Sequence, residues 1–339
     1  APKSAGAQPG PAAYRRGGTA ATVTDANMVL GRLNPVALLD GAMAVDADLA
    51  RAAVERDVAA PLGLEAPAAA AGVLDIVNVN MMGAVRVISV ERGEDPRRFL
   101  LMPFGGAGPL HAADVAAMMQ MPRVVVPPAP GVLSALGLLQ ADARGDFSQT
   151  RLLPAAAEAV DDLNDALRAL DGRADAWLAQ EGLRPDAATF ARSADMRYRG
   201  QSYELPIDLA TPAFDPASLA AAVEAFHARH RAAYGHAMPD RPVEIVCLRL
   251  AVEAANAAPT PAPPPVLTGD PVRARRDVWF RETGFLRAPV FDRRRIGPGF
   301  VHDGPAIVEQ MDATTVVPPN ARLSADAFGN LLIDLEVPA

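Results

Sequence analysis

The longest regular pattern in the chain lies in residues 67–92, where Val73, Ile76, Val77, Asn80, Met81, Ala84, Val85 and Ile88 recur at steps of three and four. That spacing predicts an amphipathic helix, because side chains three and four apart share one face. Asn80 falls on the apolar side, so it is either a buried helix–helix hydrogen bond or a site residue. Beyond it, "RFLLMPF" reads as a strand, followed by a glycine turn, a helix from about Pro109 to Met119 and a second strand "RVVVP". Strand, turn, helix and strand make one α/β unit. Pro109 suits a first helical turn, where a missing N–H costs nothing. Residues 1–22, rich in Gly, Pro and Ala without periodicity, read as loop. Thr24 or Asp25 is placed to cap a helix through Met28, Val29 and Leu30.

Past Arg151 the pattern changes. A helix is expected within 155–182, through Leu163, Leu167, Leu170, Trp177 and Leu178. In "ADMRYRGQSYELPIDL", Met196 and Tyr198 alternate with Asp195, Arg197 and Arg199, as in a strand hairpin. Asp215 before Pro216 caps a further helix that ends near Gly235. "EIVCLRLAVEA" is a strand, residues 255–271 are a proline-rich connector, and the last 65 or so residues read as short strands between Gly and Pro turns. The expected domains are 1–150, an α+β domain 151–258 and a small β-rich module 272–339.

Composition narrows the function classes. Half of the 339 residues are apolar but only 5% are aromatic, so alanine makes up much of that share and helices should pack closely. The net charge is 32 − 40 = −8, and no basic block exceeds Arg293-Arg294-Arg295, which argues against a nucleic-acid partner. The single cysteine, Cys247, leaves no internal disulfide or multi-cysteine metal site and suits a reducing compartment. It lies in a strand-like apolar run and reads as a packed small hydrophobe. Residues 124–141 carry no charge, yet Pro127, Pro128, Pro130 and Gly131 break any helix there. With no apolar leader pattern at the N-terminus either, the expectation is a cytoplasmic protein with no membrane partner.

The stretch "LLMPFGGAGPLHAADVAAMM", residues 100–119, raises the chemical question. A phosphate-binding G-x4-G-K-[S/T] loop needs a lysine and a hydroxyl that are missing here. A dinucleotide G-x-G-x-x-G needs a different glycine spacing. Gly105, Gly106 and Gly108 are left either to let backbone approach a flat group such as adenine or ribose, or to form a tight turn with no ligand. Among polar candidates, His111 follows the turn and is open to proton transfer, substrate contact or a helix-start hydrogen bond. Asp25 and Asn27 suit magnesium ligation, water positioning or capping. Arg86 suits a phosphate or carboxylate. Asp142, Arg144 and Asp146 are site residues or an ion-paired turn. His227, His230 and His236 invite a metal, but neighbouring Arg229 and Arg231 and the lack of a spaced carboxylate favour structural roles. Arg199 and Gln201 flank a hairpin glycine, open to turn formation or contact with a partner.

Several long strings together, "SAGAQPGPAAYRRGGTAATVTDANMVLGRLNP", "RVISVERGEDPRRFLLMPFGGAGPLHA", "MPRVVVPPAPGVLSALGLLQADARGDF", "ADMRYRGQSYEL", "YGHAMPDRPVEIVCLRL" and "GPAIVEQMDATTVVPP", resemble the hydantoinase A / 5-oxoprolinase family. The resemblance is collinear over essentially the whole chain. It implies an α/β fold, the C-terminal lobe of an actin/Hsp70/hexokinase-like ATPase, followed by α+β and β-rich parts. The family's D-x-G-G-T-x-T-D phosphate loops are absent, and the nearest string, "RGGTAAT", lacks the leading aspartate. The resemblance thus implies the C-terminal half of a large subunit, with the N-terminal half and a B-type subunit as partners. It also implies ATP and Mg2+ as cofactors and a cyclic amide or ketone as substrate. Gly105, Gly106, Ala107 and Gly108 would lie against the adenosine, Arg86 would bind the cofactor, and His111, Asp25 and Asp142 become the catalytic candidates. The face turned to the other lobe is expected to be apolar, and the chain by itself to turn over no ATP.

Overall fold

In the computed structural model, which describes residues 4–255 and 262–336, helix α1 (Val23–Val29) is capped by Thr22 rather than by Thr24 or Asp25. The Thr22 hydroxyl accepts the N–H of Asp25, and the Asp25 carboxylate accepts the N–H of Thr22, a reciprocal capping box. A ribbon of β1 (Ala37–Leu38) and β2 (Met43–Ala44) leads to α2 (Ala47–Val54), a short α3 (Ala60–Leu62) and the long α4 (Ala66–Ile88).

Helix α4 stands where its period places it, but its inner face differs from the expected one. Ala66, Ala69, Ala70, Ala71, Leu74 and Asn78 are buried, the apolar ones packed with Ala26 and Val29 of α1, Leu30 just past its end and Val54 of α2. Asn78, not Asn80, is the buried amide; Asn80 is exposed. Close helix contact selects the small side chains for the inside and leaves branched ones outward. Next come α5 (Gly108–Met118) and β3 (Arg123–Val126), as expected. The strand ahead of the glycine turn shrinks to a single parallel bridge, Leu101 to Val124. Pro103, two residues on, has no N–H with which to continue the ladder.

After α6 (Leu133–Gln140), strand β4 (Ala143–Pro154) opens a unit formed by Leu139–Pro259, with α7 (Val160–Gln180), β5 (Ala188–Tyr198), β6 (Leu205–Asp208), α8 (Pro216–Tyr234) and β7 (Val243–Ala254). Its antiparallel sheet has the order β4-β7-β5-β6. Leu163, Leu167, Leu170 and Leu178 of α7 and Phe226 of α8 pack on Met196, Tyr198, Leu248, Leu250 and Val252. Along β7 the buried set changes parity, from Val243 and Ile245 to Leu248, Leu250, Val252 and Ala254. The pairing of both neighbours skips Val246 at that point, so a bulge keeps both halves of the strand facing the core. The Asp215 cap and the left-handed Gly235 end α8 as the sequence indicates.

The C-terminal strands are β8 (Val272–Phe280), β9 (Gly284–Asp292), β10 (Val301–Asp303), β11 (Ala306–Glu309), β12 (Thr314–Val317), β13 (Ala321–Ala325) and β14 (Leu331–Leu335). They were expected as a separate module, yet they join the first helices in one unit, Ala1–Leu138 with Thr260–Ala339. Strand β14 pairs antiparallel with β3 in the sheet β10-β13-β14-β3, and β12-β11-β9-β8 forms a second sheet. The Trp279 N–H donates to the Leu30 carbonyl, and a side chain on Gly31 (φ +72°) would stand 2.1 Å from the Asp277 carbonyl oxygen. The boundary expected at 150 falls at 138, because β4 pairs along its length with β7. Part of the proline-rich connector, residues 256–261, lies outside the described residues; 262–271 form no helix or strand.

Candidate functional site

The glycine turn is held from both sides by backbone. Gly105 (φ +79°) donates its N–H to the Pro130 carbonyl at 2.7 Å, and Gly108 opens α5. Against the turn lies the loop between β11 and β12. Asp312 Oδ2 accepts the Gly131 N–H at 2.8 Å, and Gln310 Nε2 donates to Asp312 Oδ1 at 2.6 Å and to the Pro128 carbonyl at 3.0 Å. A β-carbon on Gly106 would lie 3.0 Å from the Asp312 carbonyl oxygen, and one on Gly131 only 2.5 Å from it. One reason for bare backbone here is therefore the protein's own loop.

Gly106 and Ala107 also line a cleft of about 690 Å3, walled by Tyr14, Arg16, Thr24, Asn34, the Leu38–Gly41 loop, Leu110, Arg273 and Glu309 to Thr314. Its charges are largely neutralised from within. Buried Glu309 is ion-paired with Arg276 and lies 3.6 Å from Arg273, which is also 3.6 Å from Asp40. Arg294 lies 3.4 Å from Asp40 and 3.0 Å from Asp292, and its guanidinium holds the Asp292 carboxyl below the usual carboxylate range. Leu39 and Asp40 are both left-handed (φ 54° and 52°), a conformation costly for a bulky non-glycine residue, so the rim loop is strained. The cleft can take a flat, polar organic group against the glycine turn. Among the described residues no cluster of three His, Cys, Asp or Glu is arranged to hold a metal ion.

Of the expected site residues, Gly106 and Ala107 line this cleft, while Arg86 and the catalytic candidates do not. Leu110 lines it, whereas His111 is buried, with Nδ1 2.9 Å from Asn78 Oδ1. The Asn78 amide donates to Asp114 Oδ2 at 3.3 Å, which leaves Oδ1 to accept a hydrogen bond from the Nδ1–H of His111. Asp114 is paired with Arg32 at 2.7 Å. Burial, assisted by Arg32 and opposed by Asp114, pushes the His111 pKa down to about 4, so the imidazole is neutral near pH 7. Asp25 is also fully buried, and its oxygens accept from the N–H groups of Ala12, Ala13 and Thr22 and from the Thr22 hydroxyl. Its lone pairs cap α1 and tie down the preceding loop. Asn27 Nδ2 is bonded back to the Val23 carbonyl at 3.0 Å. Arg86 is exposed in the last turn of α4 and is not a wall of the cleft. Asp142 is exposed ahead of β4, in the other unit, where Arg144 is ion-paired with Asp146 and Glu253.

The histidine trio belongs to scaffolding. His227 Nδ1 is 2.7 Å from the Tyr198 hydroxyl, His230 bridges the His236 carbonyl at 2.7 Å and Gln201 at 3.0 Å, and both rings are buried. Cys247 is buried in β7, as its context suggests. What sequence reasoning missed are Asp312, Glu309 and Arg273. The first two stand in "GPAIVEQMDATTVVPP", but no local spacing tells that this loop folds back onto residues two hundred positions earlier.

With this geometry in place, two family models match the chain: Hydantoinase/oxoprolinase over residues 1–147 and Hydantoinase/oxoprolinase C-terminal domain over residues 154–335. The chain belongs to the hydantoinase/oxoprolinase family. Caprolactamase subunit alpha of Pseudomonas jessenii is 35% identical over 96% of this chain and 48% of its own length. Acetophenone carboxylase gamma subunit of Aromatoleum aromaticum is 34% identical over 100% of this chain and 48% of its own length. A solved structure of the ATP-dependent caprolactamase from Pseudomonas jessenii superposes with a TM-score of 0.71 at 34% identity, over 99% of this chain and 50% of that one. This family member has a mixed α/β fold with several sheets, and it spans about half the length of the relatives it matches.

Proposed function

We propose that this chain is the adenosine-binding part of an ATP-dependent enzyme that opens a cyclic amide, acting together with an N-terminal half that carries the phosphate loops and with a B-type subunit. The observation that carries the reading is the cleft lined by Gly106 and Ala107, in a chain 35% identical to a caprolactamase subunit. Residues present fit the base and sugar: bare backbone on one wall, with Asn34, Gln310 and Thr314 able to hydrogen-bond a heterocycle on the others. The D-x-G-G-T-x-T-D phosphate loops are absent from the sequence, so we assign the triphosphate and its Mg2+ to the other half. Bound ATP would phosphorylate the lactam oxygen with release of ADP, making the ring carbon electrophilic enough for water to add and the ring C–N bond to break, the phosphate leaving on hydrolysis.

A second reading, an ATP-dependent ketone carboxylase subunit, is favoured by the match to an acetophenone carboxylase subunit over 100% of this chain. One experiment separates them. The chain is assembled with the N-terminal half of a relative's subunit and a B-type subunit, and ATP hydrolysis is followed with caprolactam, 5-oxoproline or hydantoin, and with acetone or acetophenone plus bicarbonate. Lactam-dependent turnover supports the first reading, ketone-dependent turnover the second. Full turnover by this chain alone overturns the half-site proposal.

A further inference from the structure

The outward face of α4 exposes a run of apolar side chains. Ile76 is 67% exposed, Val79 46%, Val87 51% and Ile88 63%, and no charged residue occurs from Ile76 to Val85. By length and composition the Ala66–Arg92 segment is the one helix among the described residues able to cross a membrane. Its other side argues against that use, because Ala69, Ala70 and Leu74 are committed to the core with α1 and α2 and Asn78 is bonded to His111 and Asp114 of α5. A helix already packed along one side offers a one-sided stripe, the geometry of helix-on-helix docking. Charge frames the stripe unevenly. Asp75 at its start is ion-paired with Arg281, whereas the Arg86 guanidinium near its end has no hydrogen-bond or ion-pair partner among the described residues.

The relatives supply the occupant. Each matches 96–100% of this chain with 48% of its own length, so each carries about as much polypeptide again. We infer that the stripe Ile76–Val79–Gly83–Val87 is the docking surface for the polypeptide forming that other half, seated with an apolar helix face on the stripe and a carboxylate against Arg86. The inference rests on the partner named in the proposed function, but not on its ATP chemistry.

The test uses the N-terminal half of Pseudomonas jessenii caprolactamase subunit alpha as probe, titrated without nucleotide by biolayer interferometry. The expected result is a one-to-one complex that Val79→Glu and Gly83→Leu each weaken tenfold or more and Arg86→Glu several-fold. Gly83→Leu has room in the folded chain, since nothing lies within 4 Å of its added β-carbon, so unchanged melting temperatures are expected. Leu152→Glu, at an exposed leucine of the other unit, leaves affinity unchanged. Equal affinity across all variants, or no complex with the wild type, overturns the assignment. So does a self-dimer dispersed by Val79→Glu, or flotation on phosphatidylglycerol vesicles abolished by it. Lactam-dependent ATP turnover in an enzyme assembled with Val79→Glu at wild-type affinity would sink the docking surface and leave the functional reading standing.

Discussion

The carbonyl oxygen of Asp312 stands 3.0 Å from the point where a side chain on Gly106 would begin. This contact couples the glycine turn to the β11–β12 loop, and both line the same cleft. Gly106→Val must therefore displace the loop as well as narrow the cleft, and is expected to cost roughly 1–3 kcal/mol by overpacking. Ala107→Phe separates the two effects. Ala107 is exposed and lines the cleft, so the larger ring should leave stability within about 0.5 kcal/mol while weakening adenosine nucleotides in the assembled enzyme. Calorimetry of the chain and ATP titration of the complex read the two quantities. Wild-type ATP affinity in Ala107→Phe would remove the adenosine from this cleft.

His111 carries a pH signature. Its folded pKa of about 4 lies below its ordinary 6.5, mainly through burial. Above pH 6.5 both folded and unfolded states are neutral at this ring and stability is at its full value. As pH falls from 6.5 towards 4 the unfolded chain takes up a proton that the folded chain refuses, so stability declines, by roughly 3 kcal/mol at most. His111→Gln should flatten that part of the profile and leave the carboxylate-driven loss below pH 4. Urea unfolding between pH 4 and 7.5 measures it; an unchanged slope in the variant would place the titration elsewhere.

Such a buried, neutral ring is not what the sequence suggested. "GAGPLHA" showed a histidine one turn into a helix, and that helix formed, but which face it turned inward was decided by Asn78 on α4. The same limit governs Asn78 and Asn80. Periodicity named the helix, while its inner side was fixed by how closely alanines let α1 approach, a tertiary property. The Asp215 cap, the Gly235 terminus and the α7, α8 and β7 segments were legible because they depend on neighbours in sequence. The union of β14 with β3 and the Asp312 contact join residues some two hundred positions apart, and no local pattern encodes them.

Within the other unit, Tyr198 is the residue whose loss should be felt most. Its hydroxyl accepts the Met238 N–H at 2.7 Å and lies 2.7 Å from His227 Nδ1, while its ring packs edge-on to Phe226 at 4.8 Å. Tyr198→Phe keeps the aromatic packing and strands one part-buried donor and one buried imidazole. A loss of about 1–3 kcal/mol is expected. His227→Phe in the same background should cost less than its single-variant effect, since the pair is already broken. Strict additivity in that cycle would deny the Tyr198–His227 bond.

The final prediction concerns whether the C-terminal strands are integral to the first unit. Gly31 and Gly299 both sit at positive φ, +72° and +86°, so alanine is strained at either. Only Gly31 faces a neighbour: its added β-carbon would be 2.1 Å from the Asp277 carbonyl oxygen on β8, whereas nothing lies within 4 Å at Gly299. Gly299→Ala should therefore cost only the left-handed strain, about 1–2 kcal/mol. Gly31→Ala must also push β8 away from the end of α1, stretching the Trp279 N–H bond to the Leu30 carbonyl (3.0 Å), and should lose roughly 3 kcal/mol or more. Hydrogen exchange at Trp279 should rise in Gly31→Ala and stay at the wild-type rate in Gly299→Ala. Equal stability losses with unchanged exchange would mean that the strands from Val272 onward do not lean on α1, and that the β-rich part folds as the separate module its composition suggests.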